Sequence, residues 1–345
     1  MFRESIKKMA PYLPGEQPRP GQRLIKLNTN ENPYPPSPRV FEAIRAALTG
    51  DRLRKYPDPV GTAFRQAAGR ALGVDPDSVL IGNGSDDILT MVTRAFVPEG
   101  GLVAAPMPGY VLYRSLADIQ GARFRAVPYT TDWQLPDPWP VPDAHLTFLA
   151  NPNSPSGTTV APAALRRLAE GLSGPLVLDE AYVDFADAHN LHLAQRPNVI
   201  VTRSLSKSYA LAGIRFGYAV AQPALVRELI KVKDSYNCDV LSLAAATAAM
   251  EDQEYLQSTR AKILATRTRL IGTLRELGFE VCPSQANFVW CRRTDRPVKP
   301  IYEELKRKMI LVRYMDYEGY GNGLRISVGT DAEIDHLLNE MRRLQ

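Results

Sequence analysis

The sequence predicts an α/β fold, in which a mostly parallel sheet is sandwiched by helices and followed by a smaller α+β part, on three observations. Short apolar runs at residues 79–81, 102–105, 145–150, 176–178 and 199–201 alternate with segments of helical periodicity, the pattern of parallel strands joined by crossover helices. Each run ends in a polar or glycine-containing cluster, and ligands on such sheets bind beyond the carboxyl ends of the strands. After Val220 the pattern changes to long helical stretches and isolated short strands. The expected division is an arm at residues 1–29 that joins the smaller part, a large domain at 30–239 and a small domain at 240–345.

In chain order, residues 1–28 are rich in Pro, Gly and charge and read as an arm over the surface or onto a partner. The turn cluster at 27–36 holds too many side-chain amides for an ordinary linker. Ser37 and Pro38 supply N-cap and first-turn chemistry for a helix with Val40, Phe41, Ile44 and Leu48 on one face, ending near Gly50. A helix at about 62–72 leads to the strand at 79–81. That strand runs into Gly82-Asn83-Gly84-Ser85-Asp86-Asp87 and an amphipathic helix; free N–H groups at such a helix start suit an anion, and taken alone the pattern equally fits a plain capped helix after a tight turn. The run 102–105 ends at Tyr110, and 128–143 is a proline-laden connection with Trp133 and Trp139. Residues 145–150 lead into Asn151-Pro152-Asn153-Ser154-Pro155-Ser156-Gly157, and 176–178 into Asp179-Glu180-Ala181-Tyr182. Beyond Val220, helices are expected at 222–249 and 254–277, strands at 287–291 and 324–328, and a last helix after Asp331.

Composition narrows the function classes. The chain has 345 residues, 45% of them hydrophobic and 23% charged, enough for a large core and two domains. Its net charge of +5 is spread along the chain without a basic run, so affinity for small anions is expected rather than for nucleic acid. Three cysteines without metal-ligand spacing argue against a disulfide framework or a metal site and fit a reducing cytoplasm. No stretch suits a signal peptide or a membrane span. His145, His189, His192 and His336 form no triad or ligand pattern.

The chemistry concentrates around Lys207, which lies between the apolar runs 199–201 and 216–220. A buried ammonium is costly unless it is paired or neutral. Ser204, Ser206 and Arg215 around one amine suit a phosphate, and the amine suits a carbonyl that it can capture as a Schiff base. A phosphate and an aldehyde together point to pyridoxal phosphate; the alternative for so short and common a motif is a surface loop without cofactor, and the other motifs decide between them.

Arg203-Ser204-Leu205-Ser206-Lys207 with Gly213-Ile214-Arg215-Phe216-Gly217-Tyr218 resembles the lysine motif of class I/II aminotransferases of the fold-type-I pyridoxal phosphate superfamily. More narrowly, Asn30-Glu31-Asn32-Pro33, Tyr56-Pro57-Asp58, Gly82-Asn83-Gly84-Ser85-Asp86, the 151–157 cluster, residues 284–288 and residues 324–330 resemble the histidinol-phosphate aminotransferase family, over nearly the whole chain. The resemblance implies that Lys207 holds the cofactor and moves the proton, that Asp179 pairs with its ring nitrogen, and that Tyr182 and the Asn153–Ser154 pair face its ring hydroxyl. Tyr110 would stack on the ring; Ser85, Asp86, Ser204, Ser206 and Arg215 would hold the phosphate. Tyr56 would reach that phosphate from a second subunit of a homodimer. Arg325 matches the family arginine for the carboxylate of glutamate. Arg313, at the end of the apolar run 310–312, is either a further substrate contact or the partner of a structural carboxylate such as Asp316 or Glu318, and the Tyr12 hydroxyl on the arm would add a substrate contact. The family's more usual Asn-Asn-Pro-Thr-Gly is Asn153-Ser154-Pro155-Ser156-Gly157 here, which leaves open which of Asn153 and Ser154 meets the ring oxygen. The implied reaction is amino transfer between histidinol phosphate and glutamate/2-oxoglutarate. The alternatives are an aromatic-amino-acid aminotransferase, a decarboxylase of the threonine-phosphate type, or a non-catalytic binding protein on the same fold.

Overall fold

The computed structural model describes residues 1–10, 15–18, 21 and 24–344. In chain order the elements are α1 (Glu4–Lys8), β1 (Ile25–Lys26), α2 (Pro38–Ala47), α3 (Gly50–Leu53), α4 (Thr62–Leu72), β2 (Val79–Gly82), α5 (Ser85–Phe96), β3 (Leu102–Met107), α6 (Leu112–Gln120), β4 (Arg123–Pro128), β5 (Leu146–Ala150), α7 (Pro162–Gly171), β6 (Leu176–Asp179), β7 (Val199–Ser204) and β8 (Gly217–Val220). They continue with α8 (Pro223–Ile230), α9 (Val240–Glu251), α10 (Gln253–Glu276), β9 (Glu280–Val281), β10 (Phe288–Arg292), α11 (Lys299–Arg307), β11 (Ile310–Leu311), β12 (Arg313–Tyr317), β13 (Gly321–Ser327) and α12 (Asp331–Arg343).

Seven strands form the main sheet in the order β2-β8-β7-β6-β5-β3-β4. The pairings from β7 through β4 are parallel, while β8 runs antiparallel to both β7 and β2. The central strands are apolar on both faces because helices cover both. Leu149, Leu178 and Val201 point into a cluster with α4, α7 and α9, and Phe148, Val177 and Ile200 into a second cluster with α5, α6 and α8. A four-stranded antiparallel sheet, β12-β13-β10-β9, builds the C-terminal part. One of its faces packs on α10, α11 and α12 around Val289, Leu324 and Ile326. Its other face carries Trp290, which belongs to the larger cluster of the main sheet.

The arm joins the C-terminal part through β1, which pairs in parallel with β11 at Ile25↔Ile310 and Lys26↔Leu311. The expected boundary at 240 falls at the start of α9, whose Ala245, Ala246, Ala249 and Met250 lie in the larger cluster with α4 and the main sheet.

Several sequence-based expectations need correcting. Phe41 and Leu48, expected on the buried face of α2, are 45% and 53% exposed in the single chain, while Val40 is buried. The helical stretch expected at 222–249 is two helices. The break arises because Asp239 caps α9, accepting from the N–H groups of Leu241 and Ser242, and Asn237 donates to the Ile81 carbonyl and to Asp87. Strand β4 is absent from the expectation because an edge strand alternating arginines with apolar residues lacks a buried strand's apolar run. Strand β12 escapes for a similar reason, being mostly polar with no fully buried residue.

Candidate active site

The carboxyl ends of β5, β6 and β7 and the start of α5 open on one cavity of about 290 Å³, lined also by Arg313, Met315, Tyr317 and Arg325 from the small sheet. At one end lies a cradle for an anion. Helix α5 starts after Gly84 with no side-chain cap, so its first N–H groups are free of side-chain acceptors. Gly84 has φ +82°, and a Cβ there would stand 2.9 Å from Nη2 of Arg215. Gly217 is equally constrained, since a Cβ would meet the Ser85 nitrogen at 2.4 Å. Arg215 is held in the left-handed region at φ +57°, a conformation that costs an L-residue about 1–2 kcal/mol. Its Nη1 donates to Ser206 Oγ at 3.2 Å and to the Ala212 carbonyl, and its Nη2 lies 3.5 Å from Asp86. Ser204 and Ser206 line the same wall.

Asp179 lines the same cavity, 4% exposed at the end of β6. Its Oδ2 accepts from the Tyr113 hydroxyl at 2.8 Å, and its Oδ1 from the Ala181 N–H at 3.2 Å and the Thr202 hydroxyl at 3.4 Å. Burial pushes its carboxyl up to about 6, against the pull of the Tyr113 and Ala181 donors, and the charge of Asp86 adds to the rise. Lys207 is on the same wall; its Nζ donates to the Thr29 carbonyl at 3.3 Å and lies 5.7 Å from the centre of the Tyr182 ring. Tyr110 donates to Asp86 at 3.1 Å; burial, then the Asp86 charge, drives its phenol far above the ordinary range.

Glu180, adjacent to Asp179, faces away from this chemistry. Its Oε2 accepts from Nε and Nη2 of Arg203 at 3.0 and 2.8 Å, and its Oε1 from the Asn190 N–H at 2.7 Å. Both side chains of this ion pair are buried, so each charge is kept by its partner, with Arg203 near the end of β7.

The small sheet contributes two guanidinium groups in register. Arg313 on β12 and Arg325 on β13 are directly opposite in the antiparallel ladder, and Trp290 of β10 is the next partner across. Side chains opposite one another share a face of the sheet. Arg325 donates to Ser154 Oγ at 2.9 Å and to the Asn28 carbonyl at 3.0 Å, and lies over the Phe288 ring.

The cavity thus brings together Lys207, Asp179, Tyr182, Ser85, Asp86, Tyr110, Ser204, Ser206, Arg215, Arg313 and Arg325. Asn153 is not on its wall. The Asn153 amide donates to the Pro108 carbonyl and to Ser156, its Oδ1 is buried without a partner, and Ser154 lines the cavity instead. Tyr56 lies outside the cavity, 80% exposed and stacked on Tyr236 at 4.3 Å. Tyr12 lies outside the described residues.

Two sets of residues had no assigned role on sequence grounds. The amide cluster does specific work: Asn30 donates to the Tyr182 hydroxyl, Asn32 to the carbonyls of Lys207 and Ser208, and Asn287 to the Asn30 carbonyl. Within that turn Glu31 receives Lys26 and Thr29; although its burial works the other way, these bonds hold its carboxyl below the ordinary range. The density of amides at 28–32 was the signal. Tyr113 is the second; its only sequence mark is its place one helical turn after Tyr110.

Among the described residues no group of three His, Cys, Asp or Glu side chains is arranged to hold a metal ion, and no helix is long and apolar enough to cross a membrane.

Residues 22–341 match the family described as aminotransferase class I and II. The chain is 55% identical over 338 residues to a histidinol-phosphate aminotransferase of Rhodopirellula baltica, covering 97% of this chain and 93% of that protein. It is 47% identical over 345 residues to histidinol-phosphate aminotransferase 1 of Trichormus variabilis, covering 99% and 98%. The crystal structure of histidinol-phosphate aminotransferase from Sinorhizobium meliloti, in complex with pyridoxal-5'-phosphate, superposes with a TM-score of 0.88 at 29% identity, covering 100% of this chain and 98% of that one.

Proposed function

The chain belongs to the class I and II aminotransferases, and we propose that it moves an amino group between L-histidinol phosphate and 2-oxoglutarate with pyridoxal phosphate as cofactor, in histidine biosynthesis. The observation that carries the substrate reading is the in-register pair Arg313 and Arg325 on the wall of the cavity that holds Lys207. Two like charges opposite one another on a sheet repel, so the arrangement favours a bound anion between or beside them.

The residues present fit the cofactor. The cradle of Gly84, Ser85, Ser204, Ser206 and Arg215 offers backbone amides, hydroxyls and a guanidinium to a phosphate, and would close if Gly84 or Gly217 carried a Cβ. Asp179 offers a buried carboxylate to a ring nitrogen, and Lys207 in the same cavity offers an amine to an aldehyde. When bound, the cofactor supplies an electron sink for the carbon that loses its proton. Lys207 would hold it, and its Nζ would be the base that takes the proton from the substrate carbon. The Thr29 carbonyl, 3.3 Å from Nζ, orients the amine. Tyr110 covers one side of the ring site, Tyr182 is fixed by Asn30, and Ser154 rather than Asn153 presents the polar atom at the cavity wall.

Arg325 takes the carboxylate of glutamate through two parallel N–H donors, and the same guanidinium pair accepts the phosphate of the other substrate. The active unit is a homodimer. An exposed groove of about 340 Å³, walled by Pro57, Phe64, Val240, Leu243, Ala244 and Ala248, supports this reading, as do the exposed apolar side chains of Phe41, Leu48 and Leu53 and the outward Tyr56.

The test is turnover with 2-oxoglutarate as acceptor and histidinol phosphate, histidinol, phenylalanine, tyrosine and phosphothreonine as donors. Histidinol phosphate should be preferred over histidinol by about a hundredfold or more in kcat/KM, the worth of a charge-assisted phosphate contact. Preference for an aromatic amino acid, or release of carbon dioxide from phosphothreonine, would replace the substrate assignment.

A further inference from the structure

Tyr113 is a tyrosine whose hydroxyl has one acceptor, a carboxylate oxygen at the heart of the site. It lies in the first turn of α6, 1% exposed, and donates to Asp179 Oδ2 at 2.8 Å. Its ring is clamped: it stacks on Phe148 of β5 with centroids 4.7 Å apart at 8°, and meets Tyr110 edge-on at 5.6 Å and 86°. A phenol so fixed cannot swing to another acceptor without losing both aromatic contacts. With the Ala181 N–H and the Thr202 hydroxyl on Oδ1, the carboxylate is held by donors on both oxygens. The Tyr113 bond is the shortest of the three.

We propose that Tyr113 is a positioning residue for Asp179: its hydroxyl, aimed by the Phe148 stack, fixes the carboxylate and keeps it ionised to receive the protonated ring nitrogen of the cofactor. The assignment rests on the cofactor reading above. A buried carboxylate in an apolar core favours its neutral form, and a neutral acid at this place cannot pair with a cationic ring. The ionisable groups around Asp179 are Tyr113 on α6, Asp86 and Tyr110 across the cavity, and Tyr182, Lys207 and Arg215 on its walls. Asp86 opposes ionisation, and Tyr113 is the closest donor that supports it. Tyr113 touches neither cofactor nor substrate on this arrangement and acts only through Asp179.

The first measurement uses the protein freed of cofactor. The Asp179 carboxyl, at about 6 in the folded chain, lies above its ordinary 3.8. The neutral form is therefore favoured by folding. Relative to Asp179→Asn, the wild type should keep its stability below about pH 4, lose it as the pH rises, and level off near pH 6. In a Tyr113→Phe background, compared with Tyr113→Phe/Asp179→Asn, the ring packing stays but the donor is gone. The loss should then continue to about pH 7, an upward move of roughly one pH unit. Site-specific 3,5-difluorotyrosine at position 113, a stronger donor of the same shape, should move the levelling-off downward, and serves also if Tyr113→Phe does not fold.

The second measurement is affinity for pyridoxal phosphate and for its analogue with CH in place of the ring nitrogen. At pH 6 the ionised fraction of Asp179 falls from about one half to about one tenth in Tyr113→Phe. Pyridoxal phosphate should then bind about fivefold more weakly, with little change at pH 8. The CH analogue should show no such loss. An unmoved pH profile in both position-113 variants, or an equal loss for the two ligands, overturns the role of Tyr113 while leaving the cofactor reading intact. Failure of the wild type to take up pyridoxal phosphate at all overturns both.

Discussion

Arg325 shows how much one side chain decides at this site. Its two terminal nitrogens donate to Ser154 and to the Asn28 carbonyl, and its plane lies over Phe288, so three elements fix the fork before any substrate arrives. Arg325→Lys keeps the charge but loses the fork and the stacked plane. The expected result is a raised KM for both substrates and a fall in kcat/KM worth about 2–3 kcal/mol, read from steady-state kinetics of the two half-reactions. A change confined to glutamate would place the phosphate on Arg313 alone. Ser154 illustrates the same scale from the other side. The motif with serine before Pro155 left the contact open between two neighbours, and local packing turns Asn153 inward to Pro108 and Ser156.

At the scale of elements, the anion cradle depends on how β2 hands over to α5. Gly82, Gly84 and Gly217 let the α5 start approach β8 closely enough for Arg215 to reach across it. Gly84 at φ +82° is the position where a side chain is excluded on two grounds, backbone conformation and the guanidinium 2.9 Å away. Gly84→Ala should therefore weaken pyridoxal phosphate binding by about 2 kcal/mol, roughly thirtyfold, measured by titration of the cofactor absorbance. The fold should tolerate the change, because the strain is local to the turn. The hairpin β12–β13 is the second element that matters. Its register puts Arg313 against Arg325, and a slip by one residue would turn one of them to the opposite face of the small sheet. Gly323 helps to lock that register, since a Cβ there would stand 2.4 Å from the Trp290 ring.

For the whole molecule, the single chain encloses the cofactor chemistry yet leaves an apolar groove and Tyr56 turned to the outside. On the proposed homodimer, a second copy of the chain would cover that groove and bring its Tyr56 hydroxyl to the phosphate cradle of its neighbour. Hybrid dimers test this directly. One subunit carrying Lys207→Ala and one carrying Tyr56→Ala should together form one intact site and one doubly defective site, with about half of wild-type turnover per hybrid. Hybrids no better than the mean of the two parent variants would mean that Tyr56 serves its own chain or none.

The sequence by itself determined the alternation of strands and helices, the cluster of polar strand ends and the lysine between two apolar runs. These signals are local: apolar periodicity, turn residues and motif spacing are written within a few residues of one another. It also determined most members of the cavity wall, because each lies at or just beyond a strand end that the apolar pattern marks. Only the tertiary structure decided the rest. The donor on Asp179 comes from a residue 66 positions earlier in the chain, and the Asn28 carbonyl on Arg325 from 297 positions away. The pairing of Arg313 with Arg325 depends on a hairpin whose first strand is too polar to announce itself. Such contacts are set by which elements pack together, and packing is a property of the whole chain that no local pattern encodes.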